Sequence, residues 1–290
     1  DVINFSGGGT ETDPANDAMI ETVRNVSAAG VVPVISAGNS RDDYGYGSIG
    51  SPGTAPDAIT VGASSNVHVF TPSMTVQDAR APSALREMPF RTVLPVRAFR
   101  GWDTRDQTVV DIGSVRGTDG RLVDRQLCGV SHPNALDTTL PRGSIRGTIA
   151  LIFRGGCAIV TKEIRALLGG AEGMILVDNR PGEPTSLPLD IPAGTIADLD
   201  GARLRDFLVS VGGSAAVRFS FAKHQLHPGR GGTMMFFSSA GPTAFGHLLK
   251  PDVSAPGGEI LSSTLPEFAR APFAPFDGTS MSAPHVAGAA

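Results

Sequence analysis

A serine late in the chain has the surroundings that acyl-transfer chemistry requires. Ser280 follows Gly278-Thr279, and an apolar helix is predicted to begin there, within the run FDGTSMSAPHVAG of residues 276–288. N–H groups in the first turn of a helix have no intrahelical acceptor and lie at the positive end of the helix dipole. They can therefore hold a developing oxyanion beside a serine nucleophile. A serine or threonine here would also serve as an ordinary helix cap, so residue type alone leaves both roles open.

An asparagine at the end of a predicted buried strand is the second candidate. Residues 31–36 form a short, almost wholly apolar run, which is typical of a strand buried on both faces of a parallel sheet. The run leads into Ala37-Gly38-Asn39, and ligand sites in such sheets lie beyond the carboxyl ends of the strands. Asn39 could supply a side-chain N–H donor there, or could be a turn residue in left-handed geometry.

Together, these segments resemble the subtilisin-like serine proteases (subtilases, peptidase family S8). The thirteen residues 276–288 closely resemble the family's nucleophile segment, and Ser280 occupies the place of the nucleophile. The other common serine signature, G-x-S-x-G, fails because Ser282 stands where its second glycine would be. The resemblance implies that Asn39 is the oxyanion-hole asparagine, with the Ser280 N–H as the second donor.

The same resemblance implies a set of substrate-binding residues. Residues 1–9 read as a strand that runs into a glycine loop, and they resemble the strand beside which a peptide substrate pairs as an added β-strand. Glycines suit this position because the substrate backbone must approach closely. The implied cleft walls are small residues that leave room for a large apolar substrate side chain: Ser6, Gly7, Gly8, Ser36, Ala37, Gly38 and Gly50.

The composition is that of an ordinary globular protein and argues against several classes of partner. Of the 290 residues, 41% are hydrophobic and 18% are charged, and the formal net charge is −4 at pH 7. Such a chain is not expected to bind nucleic acid or an anionic membrane as its main partner. No run of about 18 apolar residues is present, so we expect no membrane span. The expected partners are protein or peptide substrates.

The elements that must position these residues alternate between strands and helices. The first 65 residues predict a strand–helix–strand rhythm that is typical of a parallel sheet. Residues 14–29 read as a helix capped by Asp13. Four of its apolar residues recur at helical spacing and are predicted to form the buried face: Ala15, Met19, Val23 and Val26. The predicted fold class is α/β, a subtilisin-like parallel sheet with helices on both faces, interrupted by an inserted α+β domain.

The middle of the chain loses its likeness to the subtilases. Residues 1–65 and 231–290 resemble subtilase sequence, whereas residues 66–230 do not. We expect a discontinuous catalytic domain with a second domain inserted in a surface loop, where insertions are well tolerated. From about residue 147 to 211, the order of predicted elements is similar to the protease-associated (PA) domain, an insert found in many secreted subtilases. That fold implies no chemistry of its own.

Two cysteines, Cys128 and Cys157, lie in the predicted insert. On residue type alone they are either buried thiols or a disulfide. The resemblance to secreted subtilases implies an extracellular location and therefore favours the disulfide. Members of the family commonly hold a structural calcium ion, but Asp42-Asp43 is predicted to be a solvated loop, so no metal and no cofactor is assigned.

The predicted nucleophile lacks recognisable catalytic partners in this sequence. In the subtilases an aspartate and a histidine precede the strand that begins here at Asp1, and neither motif is present. None of the six histidines has the Gly-Thr neighbours of the family's base. We expect an interior part of a longer serine endopeptidase, inactive by itself. The alternative is a non-catalytic subtilase-like scaffold whose PA domain binds proteins.

Overall fold

The computed structural model describes residues 1–92, 99, 101–129, 134, 136, 138–184, 189–265 and 272–290. Strands in these ranges are, in chain order, β1 (Val2–Phe5), β2 (Val32–Ser36), β3 (Ile59–Ser64), β4 (His68–Val76), β5 (Met88–Pro89), β6 (Gln107–Asp111), β7 (Ile149–Phe153), β8 (Gly173–Val177), β9 (Ala193–Ile196), β10 (Ser214–Pro228), β11 (Val253–Pro256), β12 (Ile260–Ser263) and β13 (Phe273–Phe276). The α-helices are α1 (Ala18–Ala28), α2 (Arg41–Tyr44), α3 (Ile159–Leu168), α4 (Asp198–Ser210) and α5 (Thr279–Ala289).

These elements form two compact units. The first contains Asp1–Phe70, Pro181–Glu183 and Pro228–Ala290, and the second contains Thr71–Arg180 and Pro184–His227. The early and late parts of the chain thus share one unit, and the part between them, apart from Pro181–Glu183, forms the other. The identity of the second unit as an inserted PA-like domain stays a prediction.

The first unit is built on a parallel sheet of four strands in the order β1-β2-β3-β11. Alternate residues of β2 point to opposite faces of this sheet. Ile35 packs against Ile20 and Val23 of α1, whereas Val34 packs against Ala283 of α5. Helices therefore cover both faces, and this burial explains why β2 reads as an almost continuous apolar run. The α/β class with a parallel sheet, predicted from the sequence, is confirmed.

The helix predicted for residues 14–29 begins later than expected. Pro14–Asn16 is a short 3-10 turn, and α1 begins after Asp17, whose side chain accepts a hydrogen bond from the Met19 N–H at 2.9 Å. The buried residues of α1 are Ile20 and Val23, whereas Met19 is 40% exposed. The predicted buried face is therefore right at Val23 and wrong at Ala15 and Met19, because Asp17 caps a new helix that does not continue the 3-10 turn.

A mixed seven-stranded sheet, in the order β5-β4-β10-β6-β7-β8-β9, forms the framework of the second unit. Strands β6 to β9 run parallel, and β10 pairs antiparallel with β6. Both faces are covered by helices, since Leu151 of β7 packs with Leu204 of α4 while the adjacent Ile152 packs with Ala166 of α3. The second unit thus has its own core, separate from that of the parallel four-stranded sheet.

Candidate active site

Ser280 lies in the first turn of α5, directly after a tight connection from β13. Gly278 is the N-cap of α5, and its N–H donates to the Gly257 carbonyl oxygen at 2.8 Å. Gly278 has a φ of 154°. No side chain caps this helix, so the sequence-based alternative of Ser280 or Thr279 as an ordinary cap is not what the structure contains. The Ser280 N–H belongs to the turn whose N–H groups lack intrahelical acceptors.

The Ser280 hydroxyl lies against the loop that follows β1. It donates to the Ser6 carbonyl oxygen at 3.4 Å, and the Ser6 hydroxyl donates in return to the Ser280 carbonyl oxygen at 2.8 Å. These two hydrogen bonds join residues 274 positions apart in the sequence. Ser6, predicted as part of the substrate cleft, is thus a direct neighbour of the predicted nucleophile.

Asn39 follows β2 and is brought to the start of α5. Its Oδ1 atom accepts two hydrogen bonds from Thr279, from the backbone N–H at 3.0 Å and from Oγ1 at 2.9 Å. A backbone N–H can only donate, so this pairing fixes which end of the Asn39 amide is oxygen. The Nδ2 group is therefore turned away from these donors. In the described part of the chain it has no hydrogen-bond acceptor.

Thr279 is a site residue for which the sequence indicates only a helix cap. Its side chain is buried, and Oγ1 both donates to Asn39 and accepts from the Gly38 N–H at 3.1 Å. One hydroxyl therefore orients the Asn39 amide and also accepts a hydrogen bond from the backbone just before it. The signal available in the sequence was the position of Thr279 immediately before Ser280, but its partners lie some 240 residues away.

A cleft of about 590 Å³ opens beside these residues, entirely within the first unit. Seven of the residues predicted from the sequence line it: Gly7, Gly8, Ser36, Gly38, Asn39, Gly50 and Ser280. Two of the predicted wall residues, Ser6 and Ala37, are not among the residues that line the cleft. Ala37 is fully buried and supports the wall through its backbone. Its carbonyl oxygen accepts from the Gly50 N–H at 3.0 Å. Lining residues that the sequence did not indicate include Thr10, Glu11, Tyr44, Gly47, Ser48, Ile49, Ser51 and Ala244.

The glycines of the cleft wall permit two backbone segments to touch. Gly9 and Ser51 exchange backbone hydrogen bonds of 2.9 and 3.0 Å. A β-carbon on Gly8 would lie 2.4 Å from the Ser51 carbonyl oxygen, and one on Gly50 would lie 2.6 Å from the Gly9 carbonyl oxygen. These distances are too short for any other residue. The sequence predicts that Gly8 and Gly50 leave the pocket open. In the structure, glycine at these two positions is also needed for the two backbone segments to pair.

Side chains fasten this wall to its surroundings at two places. Asp17 accepts a hydrogen bond from the Ser51 hydroxyl, and this bond holds the pKa of the Asp17 carboxyl below its usual range. Glu11 reaches the other side of the cleft, where its carboxylate accepts from the N–H groups of Ala244 and Phe245 at 2.7 and 3.1 Å. The cleft is thus bounded by loops from distant parts of the chain that side-chain carboxylates hold in place.

The two predicted disulfide cysteines lie in the second unit. Cys128 and Cys157 are bonded to each other, and their Cα atoms are 5.6 Å apart. Within the described ranges, no group of three or more His, Cys, Asp or Glu side chains is placed to hold a metal ion. In the same ranges, none of the helices combines the length and apolarity needed to cross a membrane.

Comparison with known proteins gives one consistent family. The model of the subtilase family, Peptidase_S8, matches residues 1–290. The C5a peptidase of Streptococcus pyogenes serotype M3 is 32% identical over 303 residues, which cover 99% of this chain and 23% of that protein. The PII-type proteinase of Lactococcus lactis subsp. cremoris is 27% identical over 309 residues, covering 99% of this chain and 15% of that protein. The chain therefore spans less than a quarter of the length of these two relatives.

Similarity to solved structures is much weaker. A zinc aminopeptidase from Bacillus subtilis, BSAP, matches with a TM-score of 0.30 and 15% identity, over 55% of this chain and 33% of that one. A match at this level carries no conclusion about fold or chemistry.

Proposed function

Since this chain belongs to the subtilase family, we propose that it supplies the nucleophile and the oxyanion donors of a serine endopeptidase. Ser280 attacks the carbonyl carbon of the scissile peptide bond and becomes acylated. The Asn39 amide and the Ser280 N–H donate to the negatively charged oxygen of the tetrahedral intermediate. The pair of hydrogen bonds from Thr279 to Asn39 Oδ1 is the observation that carries this proposal. They leave the Asn39 N–H donors for the substrate.

The general base and the carboxylate that orients it are proposed to be a histidine and an aspartate that precede residue 1 in a longer protein. The Ser280 hydroxyl donates to the Ser6 carbonyl oxygen at 3.4 Å, and a carbonyl oxygen is too weak a base to remove its proton. In this state Ser280 is a neutral alcohol and a poor nucleophile. A histidine nitrogen about 3 Å from Oγ would replace this long contact and accept the proton during attack.

The proposed substrate is a polypeptide that binds in extended form beside residues 6–8. Its side chain before the scissile bond enters the cleft, whose volume of about 590 Å³ is ample for a large apolar group. Two relatives bear the names C5a peptidase and PII-type proteinase, which supports protein substrates. An extracellular location is proposed because disulfides such as Cys128–Cys157 persist in oxidising compartments. The second unit is proposed to be a PA-like domain that affects substrate access or partner binding.

The test compares the 290-residue chain with a longer version that carries the proposed histidine and aspartate. In the longer version, Asn39→Leu should lower kcat by about 10²–10³ with little change in KM, as when a subtilisin loses this donor. Ser280→Ala should abolish turnover and keep the fold, as judged by circular dichroism. Wild-type kcat in Asn39→Leu would contradict the oxyanion assignment.

The 290-residue chain alone should resist a fluorophosphonate serine reagent, because it does not contain the proposed base. Labelling of Ser280 in that chain would mean that a base lies within it. A folded longer version with neither turnover nor labelling would instead favour the non-catalytic scaffold.

A further inference from the structure

The Cys128–Cys157 disulfide is open to solvent on one side only. Cys128 is 5% exposed, whereas Cys157 is partly exposed and stands between the exposed residues Gly156 and Ala158. The segment of Cys157 is a turn that leads into α3, and the Cys157 N–H donates to the Gly155 carbonyl oxygen at 2.9 Å. Of the two cysteines, Cys157 is therefore the more accessible to a small molecule from solvent.

A buried lysine lies against both sulfur atoms. Lys162, in α3, has a fully buried side chain, and its Nζ atom is 3.3 Å from Cys128 Sγ and 3.5 Å from Cys157 Sγ. The same Nζ donates to the Gly155 carbonyl oxygen at 2.6 Å and to the Gln126 carbonyl oxygen. These two backbone oxygens belong to the segments that carry the cysteines. The amine is therefore held in a fixed position beside the disulfide.

Lys162 is still a cation at neutral pH. Burial lowers the pKa of Lys162 to about 8, with Asp124 acting in the opposite direction and Arg165 in the same direction as burial. The Asp124 carboxylate is itself engaged by the N–H groups of Gln126 and Cys128 at 3.0 and 3.3 Å. Below about pH 8 the disulfide thus has an ammonium group in contact with its buried sulfur.

We propose that Cys157 is a site of reversible S-thiolation by small thiols, with Lys162 stabilising the sulfur that leaves. The thiolate RS⁻ attacks Cys157 Sγ, a new RS–SCys157 bond forms, and the bond to Cys128 Sγ breaks. The electron pair of the broken bond goes to Cys128, which becomes a thiolate next to the Lys162 ammonium. One disulfide and one thiolate enter, and one disulfide and one thiolate leave, so electrons and charge balance. The attacking thiol is the co-reactant, and the reverse step restores the original bond.

The direction of attack follows from the two surroundings. Exchange is faster when the leaving thiol has a low pKa, and an opposite charge within about 4–6 Å lowers a pKa by about 1–3 units. Lys162 Nζ lies 3.3 Å from Cys128 Sγ and 3.5 Å from Cys157 Sγ, so it stabilises whichever of the two sulfurs leaves as a thiolate. The difference in exposure therefore sets the direction of attack, because Cys157 is more accessible to a thiol than Cys128. We therefore expect the Cys157 adduct to exceed the Cys128 adduct, and the Lys162 ammonium to speed its formation.

The experiment treats the full 290-residue chain with glutathione at pH 7 and maps the adducts by mass spectrometry after acid quenching. Wild type should carry glutathione mainly on Cys157. Lys162→Met, which removes the charge and keeps much of the side-chain volume, should slow formation of that adduct about tenfold. Lys250→Met is the matched control, because Lys250 is another buried lysine but belongs to the first unit. It should leave the exchange rate unchanged.

A second measurement separates stabilisation of the thiolate from a merely structural role of Lys162. In Cys157→Ser, the rate of iodoacetamide alkylation against pH gives the pKa of the Cys128 thiol. That pKa should lie below the ordinary value of about 8.5, and adding Lys162→Met should raise it by about 1–3 units. Equal adducts on both cysteines in wild type would overturn the proposal. So would a Cys128 pKa that Lys162→Met leaves unchanged in a folded protein.

Discussion

Replacing Thr279 by valine tests whether this buried hydroxyl positions the oxyanion donor. Valine keeps the shape of threonine but removes Oγ1, so Asn39 Oδ1 loses its 2.9 Å hydrogen bond while the 3.0 Å bond from the Thr279 N–H remains. The Gly38 N–H also loses its acceptor, which lies at 3.1 Å in the wild type. The Asn39 amide oxygen then accepts one hydrogen bond from residue 279 where it accepted two, and the Gly38 backbone loses its hydrogen bond to this side chain.

The magnitude follows from these contacts. One lost hydrogen bond costs about 1 kcal/mol, and the partly buried Gly38 N–H left without an acceptor costs about 1–3 kcal/mol more, so the free energy of unfolding should fall by about 2–4 kcal/mol. Turnover should suffer less than in Asn39→Leu, because the donor is loosened and not removed. We expect kcat to fall about tenfold, which corresponds to about 1.4 kcal/mol of lost transition-state stabilisation.

The assay measures kcat and KM on a peptide substrate, in a version of the protein that carries the proposed histidine and aspartate. Thr279→Ser is the matched control, because it restores the hydroxyl without the methyl group and should recover most of the lost kcat. Combining Thr279→Val with Asn39→Leu should cost little beyond Asn39→Leu alone, since the hydroxyl acts through the asparagine.

Two results would refute the reasoning. A folded Thr279→Val protein with wild-type kcat would mean that the backbone N–H alone orients Asn39. A full loss in Thr279→Val that Thr279→Ser does not repair would mean that the methyl group, and therefore packing, is what matters at this position.

Three further predictions concern the free energy of unfolding and can be tested on the 290-residue chain by urea denaturation. Lys250→Met should lower the free energy of unfolding by about 2–3 kcal/mol, because the buried ammonium donates to Asp252 at 2.7 Å and such charged hydrogen bonds contribute about 1.5–3 kcal/mol. An unchanged urea midpoint would disprove this prediction. Gly50→Ala should lower the free energy of unfolding by about 1–3 kcal/mol, since the new Cβ would lie 2.6 Å from the Gly9 carbonyl oxygen. Gly288→Ala is the control and should be tolerated, because its Cβ would have no neighbour within 4 Å. The pKa of Lys162 falls from 10.5 to about 8 on folding, so the unfolded state binds more protons across that window and stability should rise with pH there. Lys162→Met should abolish that rise, and a rise of equal size in the variant would exclude Lys162 as its source.

The sequence predicted those parts of the site that depend on sheet geometry. Asn39 ends a buried strand of a parallel sheet, and such ends face one edge, so a role near Ser280 could be argued from the strand pattern alone. The structure brings the two segments together through Thr279, whose bonds to Asn39 span 240 positions. A hydroxyl that acts through a distant side chain leaves no local sequence pattern, so the sequence predicts only a helix cap at Thr279.

Other features escaped the sequence for similar physical reasons. Glu11 binds two backbone N–H groups more than 230 positions away, and backbone donors have no residue type by which to recognise them. Lys162 on a helix would ordinarily be read as a solvated side chain, since lysine is almost never fully buried unless it is paired. The start of α1 is shifted because two aspartates offer caps. Asp13 caps the 3-10 turn Pro14–Asn16, and Asp17 caps the α-helix that follows it.

The arrangement of strands in the second unit bears on how the first unit folds. Strand β11 must pair with β3 across an intervening stretch of roughly 190 residues, and contacts between such distant segments are slow to form. Strands β4 and β10, through which the chain enters and leaves the second unit, are neighbours in its sheet. Once that unit is folded, the effective loop shrinks to roughly 30 residues, which saves about 1.6 kcal/mol of closure entropy. Early folding of the second unit would thus speed the docking of Ser280 onto the sheet that already holds Asn39.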